Sequence, residues 1–168
     1  MKTLYIVRHA KSSWDNPNLD DFDRPLNSRG KKNAPEMGER LKKKGIKPDL
    51  IISSSAKRAY TTAVKIAKEI GYPKNDIKRT ENFYLAGVNA SLRIIHQVDD
   101  HVESLMIFGH NPGWTDLSNY LCDFQIDNIP TCGISAITFE IDKWSEVKTG
   151  GGKLLFFDYP KNKINNPL

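Results

Sequence analysis

Four residues of this chain have the side chains needed to handle a phosphoryl group: Arg8, His9, Arg58 and His110. Arg8 and His9 stand side by side after Leu4-Tyr5-Ile6-Val7, an apolar run that reads as a short buried strand. A strand that delivers a cation and an imidazole at its C-terminal end places them where open α/β sheets bind ligands. Alone, the pair would read as a surface charge beside a satisfied polar residue; the other two positions change that. Asp49-Leu50-Ile51-Ile52-Ser53 reads as a second buried strand, and the helix after it has an apolar face running from Ala56 to Ile70. With Ser55 as its N-cap, Arg58 falls in the first turn, where free backbone N–H groups and the helix dipole favour anions. A third strand, Ser104–Phe108, runs into Gly109-His110-Asn111-Pro112-Gly113. Asn111 is the expected cap there, and Pro112 the first residue of a helix to about Leu121. Two guanidiniums match the planar, multi-oxygen face of a phosphoryl group. One imidazole can attack phosphorus while the other hydrogen-bonds the transferring oxygens.

Each of these three strands is followed by a helix, so they are expected to be parallel neighbours with their C-terminal ends on one edge. Between the first strand and its helix lies a long polar loop through Asp15, Asp20, Asp21 and Asp23. Its acids invite a calcium-loop reading, but the Gly and terminal Glu of that motif are missing. Ala34, Met37, Gly38 and Leu41 mark an amphipathic helix ending at Gly45, with Pro35 expected in its first turn or at a kink. A short strand is expected at Ile77–Arg79 and a helix over Ser91–Val102, with Ile94, Ile95, Val98 and Val102 inward. Ile134–Ile141 and Lys153–Asp158 read as an antiparallel hairpin. The glycines between them imitate part of a phosphate-binding loop, but Leu154 stands where Ser or Thr is required. The tail from Tyr159 reads as loosely held.

At 168 residues, with 39% hydrophobic and 27% charged side chains, the chain reads as one soluble domain, residues 1–168. No apolar run is long enough to span a membrane and no leader is evident, so a cytoplasmic location is expected. Cys122 and Cys132 are too few for a disulfide framework and read as buried, reduced thiols. Residues 29–44 carry seven basic side chains against two acidic, a surplus equal to the net +5 of the whole chain. Without interleaved aromatics or a binding module this is a solvated helix face, not a nucleic-acid surface.

In this order and spacing the segments carry a resemblance. Arg8-His9-Ala10 resembles the Arg-His-Gly signature of the histidine phosphatase superfamily, the phosphoglycerate-mutase-like fold. Lys57-Arg58-Ala59-Tyr60-Thr61-Thr62 is similar to its second arginine segment and Gly109-His110-Asn111-Pro112 to its second histidine segment. Asp23-Arg24-Pro25-Leu26 with Arg29-Gly30, the small size and Tyr159-Pro160-Lys161 resemble the SixA-type phosphohistidine phosphatase branch. The resemblance implies an α/β fold, a three-layer α/β/α sandwich around a mostly parallel sheet with the C-terminal antiparallel hairpin. It also implies a phosphatase that needs no metal or other cofactor. His9 would be the nucleophile, Arg8 and Arg58 would bind phosphoryl oxygens, and His110 would donate to the same oxygens. Asp15 stands where many relatives carry an asparagine that helps hold phosphate, which makes it a further candidate. The glutamate general acid of the sugar- and glycerate-specific relatives falls at Asn82, leaving Glu81 or Asp15 as proton donors.

An alkoxide leaving group needs such a donor, whereas an imidazole, with a pKa of roughly 6.5, can leave without one. The expected substrate is therefore a phosphohistidine borne by a protein. The alternatives are a phosphomonoesterase acting on a small metabolite or nucleotide, and a phosphohistidine-binding module with poor turnover. His96 and His101 have no matching partners and read as solvated or core residues. Trp14 and Tyr84 either line the pocket or pack, and Asp23 and Arg24 hold their own loop together. Neither nucleic acid nor membrane is an expected partner, and oligomeric state is left open.

Overall fold

A computed structural model describes residues 1–163. Six strands form one sheet: β1 (Lys2–Arg8), β2 (Leu50–Ser54), β3 (Lys78–Thr80), β4 (Ser104–Gly109), β5 (Ile134–Phe139) and β6 (Lys153–Asp158). Their order is β3-β2-β4-β1-β5-β6. β1, β2, β3 and β4 pair parallel to one another, while β5 runs antiparallel to both β1 and β6. Four helices cover the sheet: α1 (Ser28–Lys43), α2 (Lys57–Ile70), α3 (Val88–His96) and α4 (Gly113–Leu121).

The alternation of side chains along the central strands accounts for the layers. On β1, Leu4 and Ile6 point to one face and Tyr5 and Val7 to the other, since successive strand residues face opposite sides. The first pair joins Leu105, Ile107 and residues of α3 and α4, among them Leu92, Ile95, Trp114 and Leu117. The second joins Met106, Phe108 and residues of α1 and α2, among them Met37, Leu41, Ala63 and Ile66. A strand apolar on both faces must lie between two layers, and this is the α/β/α sandwich.

Several local expectations are corrected. Pro35 lies in the interior of α1, not in its first turn, because Asn27 caps the helix early by accepting from the Gly30 N–H at 2.9 Å. α2 has Ala56, not Ser55, at its N-cap, so Arg58 is its second residue. α3 starts at Val88 and ends at His96; Val98 and Val102 are buried as expected, but by the turns that follow. β5 and β6 pair as predicted but are joined through a short 3₁₀ turn at Trp144–Glu146 instead of a tight hairpin. Arg40 does not belong to the solvated face of α1: it is buried against Asp158 at 3.2 Å. It also donates to the carbonyls of Tyr159 and Pro160 at 2.9 Å, which ties down the tail segment read as loose. The tail beyond Lys163 lies outside the described residues. No helix among the described residues is long and apolar enough to cross a membrane.

Candidate active site

The parallel register brings the chemistry together. Arg8, the last residue of β1, pairs with Gly109, the last of β4, and β2 ends beside them at Ser54. The residues that follow therefore leave the sheet at one edge. The His9 N–H bonds the Gly109 carbonyl at 3.0 Å, and the His9 carbonyl accepts from the Cys132 N–H at 2.9 Å. Ala10 N–H donates to Thr62 Oγ1 at 3.0 Å, and that hydroxyl donates to the Arg58 carbonyl at 2.7 Å. One threonine thus links the segment after β1 to the first turn of α2. Gly109 has to be glycine: a Cβ there would lie 2.5 Å from the indole of Trp114. Gly30 answers the same need in the first turn of α1, where a Cβ would stand 2.2 Å from the Lys11 carbonyl oxygen.

Arg8, His9, Arg58 and His110 line one cleft of about 250 Å³. The rings of His9 and His110 are 5.2 Å apart, centre to centre. His9 Nδ1 lies 2.7 Å from the Ala10 carbonyl oxygen. A carbonyl only accepts, so Nδ1 carries the proton and Nε2 keeps its lone pair. His110 Nε2 lies 2.8 Å from Ser54 Oγ, which itself accepts from the Ala56 N–H at 3.2 Å. The Ser54 hydroxyl can give its hydrogen to Nε2, and in that arrangement the His110 proton sits on Nδ1. Three buried nitrogens at this place have no hydrogen-bond partner among the described residues: Arg8 Nε, Arg58 Nε and His110 Nδ1. Buried donors without partners are costly, and a cluster of them marks a place suited to an oxyanion.

Burial pushes the His9 pKa down to about 3, against the hydrogen bond to Ala10, with the charges of His110, Arg58 and Arg8 adding to the fall. Burial and the Arg58 charge likewise bring His110 down to about 3. Both rings are neutral near pH 7.

No motif or spacing in the chain singles out Asp21, yet it stands at the centre of the loop's contacts. Its carboxylate accepts from Arg58 Nη2 at 2.9 Å and from the Tyr84 hydroxyl at 2.6 Å, and pairs with Arg24 at 3.0 Å. Partial burial works to raise its pKa. The hydrogen bonds of Tyr84 and Arg58, with the Arg58 charge, outweigh this and hold the carboxyl well below the usual range. The pairing with Arg24 spans three residues and that with Arg58 spans 37, and the sequence pointed to neither. Arg24 pairs with Asp21, not Asp23, and also donates to Ser12 Oγ at 2.6 Å, closing the loop over the cleft.

A larger hollow, of about 450 Å³, lies between Leu50, Lys78 and Val98, away from these groups. Among the described residues no three His, Cys, Asp or Glu side chains gather as a metal-ligand set.

Comparison with known proteins bears on the family and the fold. The profile of the histidine phosphatase superfamily (branch 1) matches residues 4–84. An uncharacterised chloroplastic protein of Arabidopsis thaliana is 29% identical, covering 97% of this chain and 80% of its own. Among solved structures, a protein assigned as the phosphohistidine phosphatase SixA of Agrobacterium tumefaciens superposes with a TM-score of 0.79 at 26% identity. That match covers 95% of this chain and 98% of the other. The protein histidine phosphatase SixA complexed with tungstate superposes at 0.80 with 20% identity, over 94% and 97% of the two chains.

Over residues 4–84 the chain is similar to the histidine phosphatase superfamily. Its fold is the phosphoglycerate-mutase-like one, and the kinship supports phosphatase activity. Against the superfamily pattern, the two carboxylates considered as proton donors are not in the cup. Asp15 is exposed on the loop, its N–H bonded to Ser13 Oγ at 3.1 Å, and does not line the cleft. That bond makes Ser13 the residue closing the turn. Glu81 is exposed in the 3₁₀ turn after β3. Tyr84 faces the site, its ring edge-on to that of His110 at 5.4 Å. His96 bonds the Val147 carbonyl at 2.7 Å on the far side of the fold, and exposed His101 pairs with Asp99. Cys122 and Cys132 are buried and unpaired.

Proposed function

We propose that this protein is a phosphatase whose nucleophile is His9 and whose substrate is a protein-borne phosphohistidine. One observation carries the reading. His9 is held with its proton on Nδ1, which leaves the lone pair of Nε2 free, and its ring lines one cleft with Arg8, Arg58 and His110, each of which has a buried nitrogen without a partner. In the first step Nε2 attacks phosphorus as the P–N bond to the substrate ring breaks, and the electron pair of that bond leaves with the departing imidazole. Water then attacks the phosphorus of phospho-His9 as the P–Nε2 bond breaks, its electron pair returns to Nε2, inorganic phosphate is released and a proton passes to bulk solvent. Arg8 and Arg58 neutralise the charge on the transferring oxygens and His110 Nδ1–H donates to them. In this proposal the positive charge comes from guanidiniums and not from a metal. Tungstate, a tetrahedral oxyanion, bound to a SixA structure of this fold supports an oxyanion in the cup.

The preference for a P–N bond follows from the acids. Asp21, the carboxylate at the site, is held ionised by Tyr84 and Arg58 and has no proton to give an alkoxide. A substrate imidazole protonated on its other nitrogen leaves as a neutral ring and needs none. A cytoplasmic setting belongs to the proposal, supported by the two unpaired thiols. The test is quenched-flow labelling with a protein phosphorylated on histidine. A burst of acid-labile, base-stable label on the enzyme is expected, absent in His9→Ala. Label retained in that variant, or alkyl phosphates turned over as fast as phosphohistidine, would end the reading.

A further inference from the structure

Two large apolar side chains stand in water at the mouth of the cleft: Trp14 is 72% exposed and Leu85 68%. Neither is a stray surface residue. The Trp14 ring lies 3.5 Å from the Arg24 guanidinium carbon. Arg24 is itself buried and fixed by Ser12 and Asp21, so the indole is held in place without being covered. Leu85 adopts φ 54°, the left-handed region in which a leucine is strained and a glycine is not. A strained, exposed leucine does nothing for the fold, and strain of this kind gathers at sites that bind.

Between these two posts the cup is cationic, with Arg8, Arg58 and Lys11 on its walls. Two exposed apolar side chains thus border a basic cleft. This pattern complements a surface that presents one phosphoryl dianion among apolar side chains. A phosphorylated metabolite would satisfy the cleft but leave Trp14 and Leu85 wet. Tryptophan is also among the residues that most often anchor protein interfaces.

We infer that Trp14 and Leu85 form a docking rim for the polypeptide that carries the phosphohistidine. The inference rests on the substrate reading proposed above and adds which residues recognise the protein part. The experiment compares two substrates of one chemistry: phosphoramidate, and a small folded protein phosphorylated on histidine by phosphoramidate. Trp14→Ala and Leu85→Gly should each raise KM for the phosphoprotein, by about thirtyfold if they act as interface anchors, with kcat unchanged. With phosphoramidate, kcat/KM of both variants should stay within twofold of wild type. Leu85→Gly relieves the backbone strain, so it should fold as well as wild type and keeps the test decisive should Trp14→Ala fold poorly. Unchanged KM for the phosphoprotein, or equal losses on both substrates, would overturn the docking rim while leaving the phosphatase reading intact. No turnover of either substrate by the wild type would overturn both.

Discussion

The two neutral histidines make an acid-stability prediction that can be worked through. His9 and His110 are 8% and 3% exposed, and in the folded protein each has a pKa of about 3. In the unfolded chain each returns to about 6.5. The unfolded state therefore binds more protons as pH falls. A histidine with a depressed folded-state pKa contributes stability that is complete above its unfolded pKa and is lost progressively below it. At pH 5.0 each ring is about 1.5 units below that value, and at about 1.4 kcal/mol per unit each loses about 2 kcal/mol. Because both folded rings are still neutral at that pH, the losses add to about 4 kcal/mol, a large share of a typical domain's stability. The assay is urea unfolding at pH 7.5 and 5.0, at constant ionic strength in phosphate-free buffer, of wild type and His9→Gln/His110→Gln. The double variant keeps His96 and His101, so their contributions cancel in the comparison. Wild type should lose about 4 kcal/mol more than the variant over this interval. Equal losses in the two proteins, to within about 0.5 kcal/mol, would refute the reasoning, because the rings would then not be buried in neutral form.

Other outcomes follow from single contacts. Arg58→Lys keeps the charge but loses the fork and the bond to Asp21, and should cost about 100- to 1,000-fold in kcat/KM on a phosphohistidine substrate. Ser54→Ala removes the hydroxyl bonded to His110 Nε2; kcat should fall about tenfold, and the ¹⁵N shifts of that ring should change as its tautomer balance shifts. Asp21→Asn removes a carboxylate that competes with a phosphate dianion for the Arg58 guanidinium, so inorganic phosphate should inhibit on the order of tenfold more tightly. Arg40→Ala leaves Asp158 buried without its cation and should destabilise the fold by about 3 kcal/mol in urea titrations, far from the cleft and without changing KM.

What could be read from the chain, and what could not, divides along a physical line. Strands and helices show themselves through spacing, because burial imposes a period of two or of 3.6 on neighbouring residues. That is why Leu4–Val7, the apolar face of α2 and the strand before His110 were all legible. The same logic put Arg8, His9, Arg58 and His110 on one sheet edge, since parallel strands joined by helices must end together. Spacing tells which side chains face the core, however, and not which backbone carries them there. Val98 and Val102 are buried as their spacing requires, yet they sit in turns, and the helix expected through them stops at His96. Contacts between distant segments leave no period at all. Asp21 looked like one acid of several in a polar loop, and Arg40 like one base of several on a wet helix. In the fold the first clasps Arg58 and Tyr84, and the second is sealed around Asp158 and the tail. The proposed nucleophile was therefore visible in one dimension, while the groups that set its surroundings became visible only in three. It follows that sequence comparison alone will rank Arg8, His9, Arg58 and His110 above Asp21, Tyr84 and Ser54, although it is these last three that hold Arg58 and His110 in their working orientation.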